Sequence, residues 1–366
     1  MIFLLTSKKN SYIFLFKDTR DSSTDYDLND IVLKGERIDD THVRYTLMAC
    51  GANDELYLHQ TGSAILEGGE IHSVFNSPGR NFINTETINY PYETGRIITR
   101  NNMTDRILGA IVGDICGSIY EFNNIKTTDF ELLDGRNRFT DDTILTLAVA
   151  DWLVEDPSHS REFLIENMVT LGKYYLECGF GRRFYDWILS NNHLPYGSFG
   201  NGSAMRVSPV GLYARTLEET LDLAKRSAEV THNHPEGIKG AQSVASGMWL
   251  LKNGGSKEEV KDYIAENFGY EFRPLKEIRE SYKFDETCQG SVPVAIEAFL
   301  EGNNFEKVVK LAISVGGDSD TIAAISGSLA SCLYEIPDSL ITGCLSVMDN
   351  IQKEIMNNFL NKYENH

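Results

Sequence analysis

Residues 316–330 read Gly-Gly-Asp-Ser-Asp-Thr followed by Ile-Ala-Ala-Ile-Ser-Gly-Ser-Leu-Ala. Two carboxylates, Asp318 and Asp320, and the hydroxyl of Thr321 thus stand at the head of a run of small and apolar residues. A carboxylate folded into such surroundings without a partner is very costly, so the pair needs a cation or several hydrogen-bond donors. An oxygen-only set of this kind is what hard divalent cations such as Mg2+ and Mn2+ select. Gly316 and Gly317 let the backbone turn tightly around an ion. A plainer alternative stands beside this one, in which Ser319 or Asp320 simply caps the following helix.

The same chemistry recurs at Thr140-Asp141-Asp142-Thr143, which also runs directly into an apolar stretch, 144–153. One such motif reads as a cap. Two of them, far apart in the chain, point to a single metal site assembled from both.

A chain of 366 residues with 42% hydrophobic content can bury a large core. The formal charge of −19 argues against a nucleic-acid backbone as the main partner, because phosphate binding needs clustered Lys and Arg. Acidity suits a protein that collects divalent cations or meets a basic partner, and it also serves plain solubility. Cys50, Cys116, Cys178, Cys288, Cys332 and Cys344 are scattered without a C-x-x-C pair, and they predict reduced, mostly buried thiols. The apolar run 1–5 is cut off by Lys8 and Lys9, too short for a signal segment, and no run approaches a membrane span. The expected location is cytoplasmic, with no membrane and no nucleic acid as partner.

Residues 1–102 have the texture of strands and turns, with short aromatic and β-branched runs at 2–5, 12–16, 43–49, 55–59 and 71–75. The acidic stretch 18–30 reads as an exposed loop and 92–102 as a connection. From Thr104 the apolar period becomes helical, with stretches at 141–155, 161–178, 218–230, 236–252, 256–267, 292–301, 304–314, 320–334 and 338–362. The expected class is therefore mainly α: an all-helical domain over 103–366 behind a small strand-containing extension over 1–102. Small residues in 109–113 and 323–327 would let two central helices approach closely.

Further features sit in the helical region. Gly113-Asp114 and Gly117-Ser118-Ile119-Tyr120-Glu121 put an acidic residue in reach of a loop. Tyr196-Gly197-Ser198-Phe199-Gly200-Asn201-Gly202-Ser203-Ala204-Met205-Arg206 is a glycine-rich loop entering a helix, which offers backbone N–H groups to an anion such as a diphosphate. It matches neither the P-loop nor the Rossmann fingerprint. His232 and His234 stand in a turn before a helix, where a hydrogen-bonding or stacking role outweighs zinc ligation. Trp152, Trp187 and Trp249 read as core. Cys288 lacks the His/Asn accompaniment of a cysteine nucleophile.

Taken in order, G-A-I-V-G-D-x-x-G-S-x-Y-E, T-D-D-T, G-N-G-S-A-M-R, T-H and G-G-D-S-D-T resemble the ADP-ribosylglycohydrolase family over about residues 103 to 360. The resemblance implies an all-helical fold holding two divalent cations, Mg2+ or Mn2+. It implies ligands from Thr140, Asp141 and Asp142 on one side and from Asp318, Asp320 and Thr321 on the other. Glu121 matches the family's acidic residue near the metals. Gly197, Ser198, Phe199, Gly200 and Asn201 match the loop for the diphosphate and distal ribose, and His232 matches a residue that contacts ADP-ribose.

The implied reaction is hydrolysis of the glycosidic bond of an ADP-ribosylated protein, arginine being the leading acceptor. Either Glu121 or Asp142 would be the catalytic acid or base. An alternative is a binding or immunity protein that docks on a cognate ADP-ribosyltransferase toxin through residues 1–102. A third, a structural protein on a dead hydrolase scaffold, is disfavoured because every expected ligand is present.

Overall fold

The computed structural model describes residues 104–364 together with five strand segments ahead of them. These strands are β1 (Ile2–Thr6), β2 (Ser11–Phe16), β3 (Ile31–Arg37), β4 (Val43–Cys50) and β5 (Ile83–Asn84). They form one antiparallel sheet in chain order, with Phe3 opposite Leu15 and Phe14 opposite Leu33, and a register shift between Val32 and Leu33. The runs 2–5, 12–16 and 43–49 fall on β1, β2 and β4, whereas 55–59 and 71–75 lie outside the described residues. β3 was not expected, because Lys34, Gly35, Glu36 and Arg37 dilute its apolar pattern. Chain contacts separate residues 1–99 from residues 100–366.

The second unit is helical. After a 3-10 turn over Thr104–Ile107 come α1 (Leu108–Gly117), α2 (Asp141–Glu155), α3 (Arg161–Tyr174), α4 (Arg182–Leu189), α5 (Gly202–Met205) and α6 (Ser208–Tyr213). They are followed by α7 (Leu217–Glu229), α8 (Pro235–Lys252), α9 (Lys257–Phe268), α10 (Leu275–Ile278) and α11 (Cys288–Glu301). The last four are α12 (Phe305–Ser314), α13 (Ser319–Ala330), α14 (Asp338–Val347) and α15 (Asn350–Glu364). No helix among the described residues is long and apolar enough to cross a membrane.

At the centre α1 and α13 run antiparallel with every residue of both helices buried. Gly109, Gly113 and Gly117 recur every four residues and so share one helix face. A Cβ on Gly109 would lie 2.4 Å from Gly327 O, on Gly113 2.1 Å from Ala323 O, and on Gly117 2.5 Å from Asp320 Cα. Backbone meets backbone along this seam, which brings the C-terminal end of α1 against the acidic start of α13.

Local chemistry explains where helices begin and end differently from the sequence pattern. The apolar period predicts α11 over 292–301. It starts instead at Cys288, because the Thr287 hydroxyl accepts the Gly290 N–H and Pro293 is carried inside the helix. The stretch 338–362 is two helices. Met348 is extended, and Asp349 and Gln352 exchange side-chain to backbone hydrogen bonds at 2.9 and 3.0 Å, a capping box that opens α15. α4 escaped notice as a short aromatic segment, yet Phe184, Trp187 and Ile188 are buried on one face. Trp152 and Trp187 are core with their indole N–H groups bonded to Ser160 O and Leu194 O, while Trp249 is half-buried. Cys116, Cys178, Cys288, Cys332 and Cys344 are free thiols, four of them buried.

Candidate active site

Both acidic motifs open helices. Asp141 and Asp142 occupy the first turn of α2, Asp318 is the N-cap of α13 and Asp320 lies in its first turn, where unpaired N–H groups and the dipole favour negative charge. The seam places these helix starts together, and the Thr321 hydroxyl donates to Asp142 Oδ2 at 3.2 Å. Carboxylate oxygens of Glu121, Asp318 and Asp320 all lie within 4.8 Å of one another. Asn201 Nδ2 donates to Asp318 Oδ2 at 2.7 Å, tying the glycine-rich loop to the cluster.

Asp114, on α1, organises one side of this arrangement. It is wholly buried and accepts from the Thr140 hydroxyl at 2.7 Å, from Thr140 N at 3.0 Å, from Thr143 N at 3.1 Å and from the Thr143 hydroxyl. Four donors satisfy it within the protein, so it fixes the T-D-D-T turn while leaving Asp141 and Asp142 their own oxygens. A charged residue inside the apolar run of α1 was the available signal for this role.

Asn124 and Lys126 hold the other side, and nothing in a polar loop sequence announced them. Asn124 receives the Gly317 N–H at 2.7 Å and donates to Gly317 O at 3.0 Å, clamping a double-glycine turn whose φ values are +71° and +74°. Its amide also reaches Tyr120 O and Glu121 O at 2.7 and 2.8 Å, so the Glu121 segment is bound to the Asp318 segment. The Lys126 ammonium donates to Arg279 O, Tyr282 O and Val315 O at 2.7, 2.9 and 2.5 Å.

Crowding like charges in a buried place raises their proton affinities. Burial, then Asp318 and Asp114, pushes Glu121 up to about 7, with Arg138 opposing. Burial, then Asp114 and Asp318, pushes Asp141 up to about 8. Asp142 and Asp320 are held well above the carboxylate range, again by burial first and neighbouring carboxylates second. Asp142 Oδ1 is buried without a hydrogen-bond partner. An orphaned carboxylate oxygen inside an oxygen-only acidic cluster fits a hard divalent cation, which would supply the missing counter-charge.

These shifts set a sign for stability. Glu121 and Asp141 have folded pKa values above their ordinary 4.5 and 3.8, so their contribution is complete in acid and is lost as pH rises through about 7 and about 8. In a chelator, melting temperature is expected to fall between about pH 5 and pH 8 and to level off above that, and excess Mg2+ or Mn2+ should reverse much of the fall. A chelated melting temperature that is flat or rises over that range would rule this out.

The loop at 196–201 is pinned more tightly than its glycine content suggested. Gly197 N donates to Asn233 Oδ1 at 2.8 Å, Ser198 N to Thr231 O at 3.5 Å, Gly200 N to Ser198 Oγ at 3.2 Å and Asn201 N to Glu286 O at 2.7 Å. Most of the amides offered for an anion are thus engaged inside the protein. The Ser198 hydroxyl, accepting from Gly200 N, keeps its own proton to give. The exposed Phe199 ring meets His234 edge-on at 5.4 Å. His234 caps α8 by accepting the Glu236 N–H, and is thereby removed from the ligand candidates. His232 is buried with Nδ1 2.7 Å from Thr231 Oγ1. Cys288 donates to Gly200 O at 3.0 Å, and burial pushes its thiol up to about 12, a hydrogen-bond donor rather than a nucleophile.

The family model for ADP-ribosylglycohydrolase matches residues 97–365. The chain belongs to the ADP-ribosylglycohydrolase family. Members of this family are enzymes that hydrolyse glycosidic bonds. An ADP-ribosylarginine hydrolase, Tri1, of Pseudomonas putida is 26% identical over 264 residues, 63% of this chain and 70% of that one. ADP-ribosylhydrolase ARH3 of Bos taurus is 29% identical over 197 residues, 40% of this chain and 54% of that one. The ADP-ribosyl-[dinitrogen reductase] glycohydrolase of Rhodospirillum rubrum is 28% identical over 171 residues, 44% and 55% respectively. A solved structure titled as an ADP-ribosylglycohydrolase-related protein complex superposes with a TM-score of 0.56 at 24% identity, covering 72% of this chain and 99% of that one. That last likeness shows the all-helical glycohydrolase fold. Within this family member, Glu121, Asp318 and Asp320 are directly gathered, Asp142 joins through the Thr321 hydroxyl, Thr140 is held by Asp114, and Asn201 joins through Asp318.

Proposed function

We propose that this glycohydrolase cleaves the N-glycosidic bond between ADP-ribose and an arginine side chain of a modified protein, using two divalent cations, Mg2+ or Mn2+. The observation that carries the reading is the union of the cluster of Glu121, Asp318 and Asp320 with the Asn201 loop, an acidic metal-type centre beside a polar, glycine-rich loop. Arginine as acceptor is supported by the printed activity of the Pseudomonas putida relative. Asp141, Asp142, Asp318 and Asp320, with Thr140 and Thr321, would hold the ions. When bound, such ions fix ribose hydroxyls and polarise a water.

The chain's own groups do the rest. Cleavage at an anomeric carbon develops positive charge on the ribose, and an acidic, water-poor surround favours that charge. Asp142 is buried at 3% exposure and tethered by Thr321, so it suits a ligand. Glu121 is half-buried at the edge of the cluster, with room to move a proton between water and the departing acceptor. The loop from Gly197 to Asn201 with His232 would hold the ADP-ribose. Residues 103–366 would be the hydrolase unit and 1–102 a separate module. This division is supported by a family match that starts at 97 and a contact boundary at 99.

The test is release of ADP-ribose from a protein ADP-ribosylated on arginine, with Mg2+, with Mn2+ and with chelator, alongside metal content of the purified chain. Release that needs the cation is expected. Turnover of a serine-linked or O-acetyl substrate with none from arginine would overturn the acceptor, and turnover unaffected by chelation of a metal-free preparation would overturn the metal centre.

A further inference from the structure

Arg206 is a guanidinium at 0% exposure, set at the end of the glycine-rich loop's short helix. Its Nη2 donates to Ser227 O at 2.8 Å and to Thr231 Oγ1 at 3.0 Å, while Nε and Nη1 are buried without partners. A buried cation left partly unsatisfied is expensive, and it contributes little to packing that an apolar side chain would not contribute better. Among the described residues the one side chain it hydrogen-bonds to is Thr231, which shows what the expense is spent on.

We propose that Arg206 and Thr231 are positioning residues that hold His232 as a neutral imidazole with its proton on Nε2. In that state Nε2 is a fixed hydrogen-bond donor to an oxygen of the bound ADP-ribose. The donor's use rests on the reading that the loop 197–201 holds ADP-ribose; the tautomer does not.

The argument is one of donors and acceptors. A guanidinium has only donors, so Thr231 Oγ1 must accept from Arg206. The hydroxyl then has one proton to place from a position that is fully buried. Among the described residues its remaining neighbour is His232 Nδ1 at 2.7 Å. If Nδ1 carried a proton, both groups would point hydrogen at one another or the hydroxyl proton would be left buried and unpaired, a state folded proteins avoid. Nδ1 therefore accepts, and the ring proton sits on Nε2. Burial first, and then the charge of Arg206, hold His232 well below the ordinary imidazole range, in keeping with a neutral ring.

Nε2 faces the loop. A Cβ on Gly202 would lie 3.1 Å from it and one on Gly200 3.6 Å, and a Cβ on Gly237 would lie 3.0 Å from His232 Cβ. The ring is thus wedged between the loop and α8 by three glycines, and its orientation is not free. Because the N–H groups of Gly197, Ser198, Gly200 and Asn201 are spent within the protein, side-chain donors gain importance for any oxygen-rich ligand there.

The full chain labelled with 15N-histidine tests this by long-range proton–nitrogen correlation, with His232 assigned by loss of its signals in His232→Gln. The expected pattern over about pH 6 to 8 is a protonated Nε2 and an unprotonated Nδ1. Thr231→Val should erase that bias, and Thr231→Ser should restore it. ADP-ribose affinity should fall about tenfold in Thr231→Val and stay within about twofold in Thr231→Ser. A proton on Nδ1 in the wild-type chain overturns the proposal without recourse to any variant. So does a Thr231→Val variant that keeps both the Nε2–H pattern and wild-type affinity. Absence of ADP-ribose binding by the wild-type chain would instead overturn the ligand reading, while the nitrogen pattern still decides the tautomer.

Discussion

Replacing Asp141 and Asp320 together by alanine is expected to abolish ADP-ribose release, by roughly 10³-fold or more. Ions at such a centre supply several kcal/mol of transition-state stabilisation, and each 1.36 kcal/mol is about tenfold in rate. The same variant should melt higher than the wild-type chain when both are in chelator near about pH 8. Asp141 and Asp320 are carboxylates that burial and neighbouring charge hold above their ordinary range, so removing them relieves repulsion. Activity and chelated stability are thus expected to move in opposite directions, the mark of groups kept for function at a cost in stability. The stabilising effect of added Mg2+ should vanish with them. Wild-type turnover in the double variant would sink the assignment of the site, and a chelated melting point lowered by ten degrees or so would mean that the two side chains serve packing instead.

The second large effect is expected far from any reacting atom. Gly113→Ala would ordinarily strengthen a helix by about 1 kcal/mol. Here the new Cβ would meet Ala323 O at 2.1 Å and Ala324 Cα at 2.8 Å, both of them backbone. Backbone cannot rotate away as a side chain does, so the cost should reach about 3 kcal/mol and override propensity. At roughly 2–4 °C per kcal/mol for a unit of this size, the melting temperature should drop by about 6–12 °C. Gly181→Ala, with nothing within 4 Å of its Cβ, should change it little. Equal melting points for the wild-type and Gly113→Ala chains would show that the two central helices do not touch as described.

Much of this was legible in the residues themselves. The small-residue runs of α1 and α13 announced a close helix pair, and the repeated pattern of hydroxyl and paired carboxylates announced a two-sided acidic centre, because both signals are properties of a residue type at a spacing. The loop's engaged amides were not legible, since a backbone N–H looks the same in sequence whether it faces a ligand or Glu286 O. Asn124 and Lys126 were hidden for a related reason: each acts on carbonyls supplied by residues far along the chain, and a carbonyl carries no letter. Asp114 was seen but read toward the following loop, whereas the fold turns it onto Thr140 and Thr143. The break at Met348 was missed because apolar periodicity runs on across a capping box that only its Asp and Gln mark.

The backbone seam also sets what kind of change α1 can accept over evolutionary time. Its three contact glycines repeat every four residues, and Asp114 sits one position beyond the middle one. Adding or deleting a single residue between Leu108 and Gly117 would turn everything beyond that point by about 100° around the helix axis. The contact glycines beyond the change would leave the seam, and Asp114, if beyond it too, would swing away from the T-D-D-T turn in the same motion. No side-chain repacking repairs a rotation of that size. Helix α1 can therefore be substituted residue by residue or exchanged whole, but not lengthened or shortened, and divergence in length is left to segments such as 118–139.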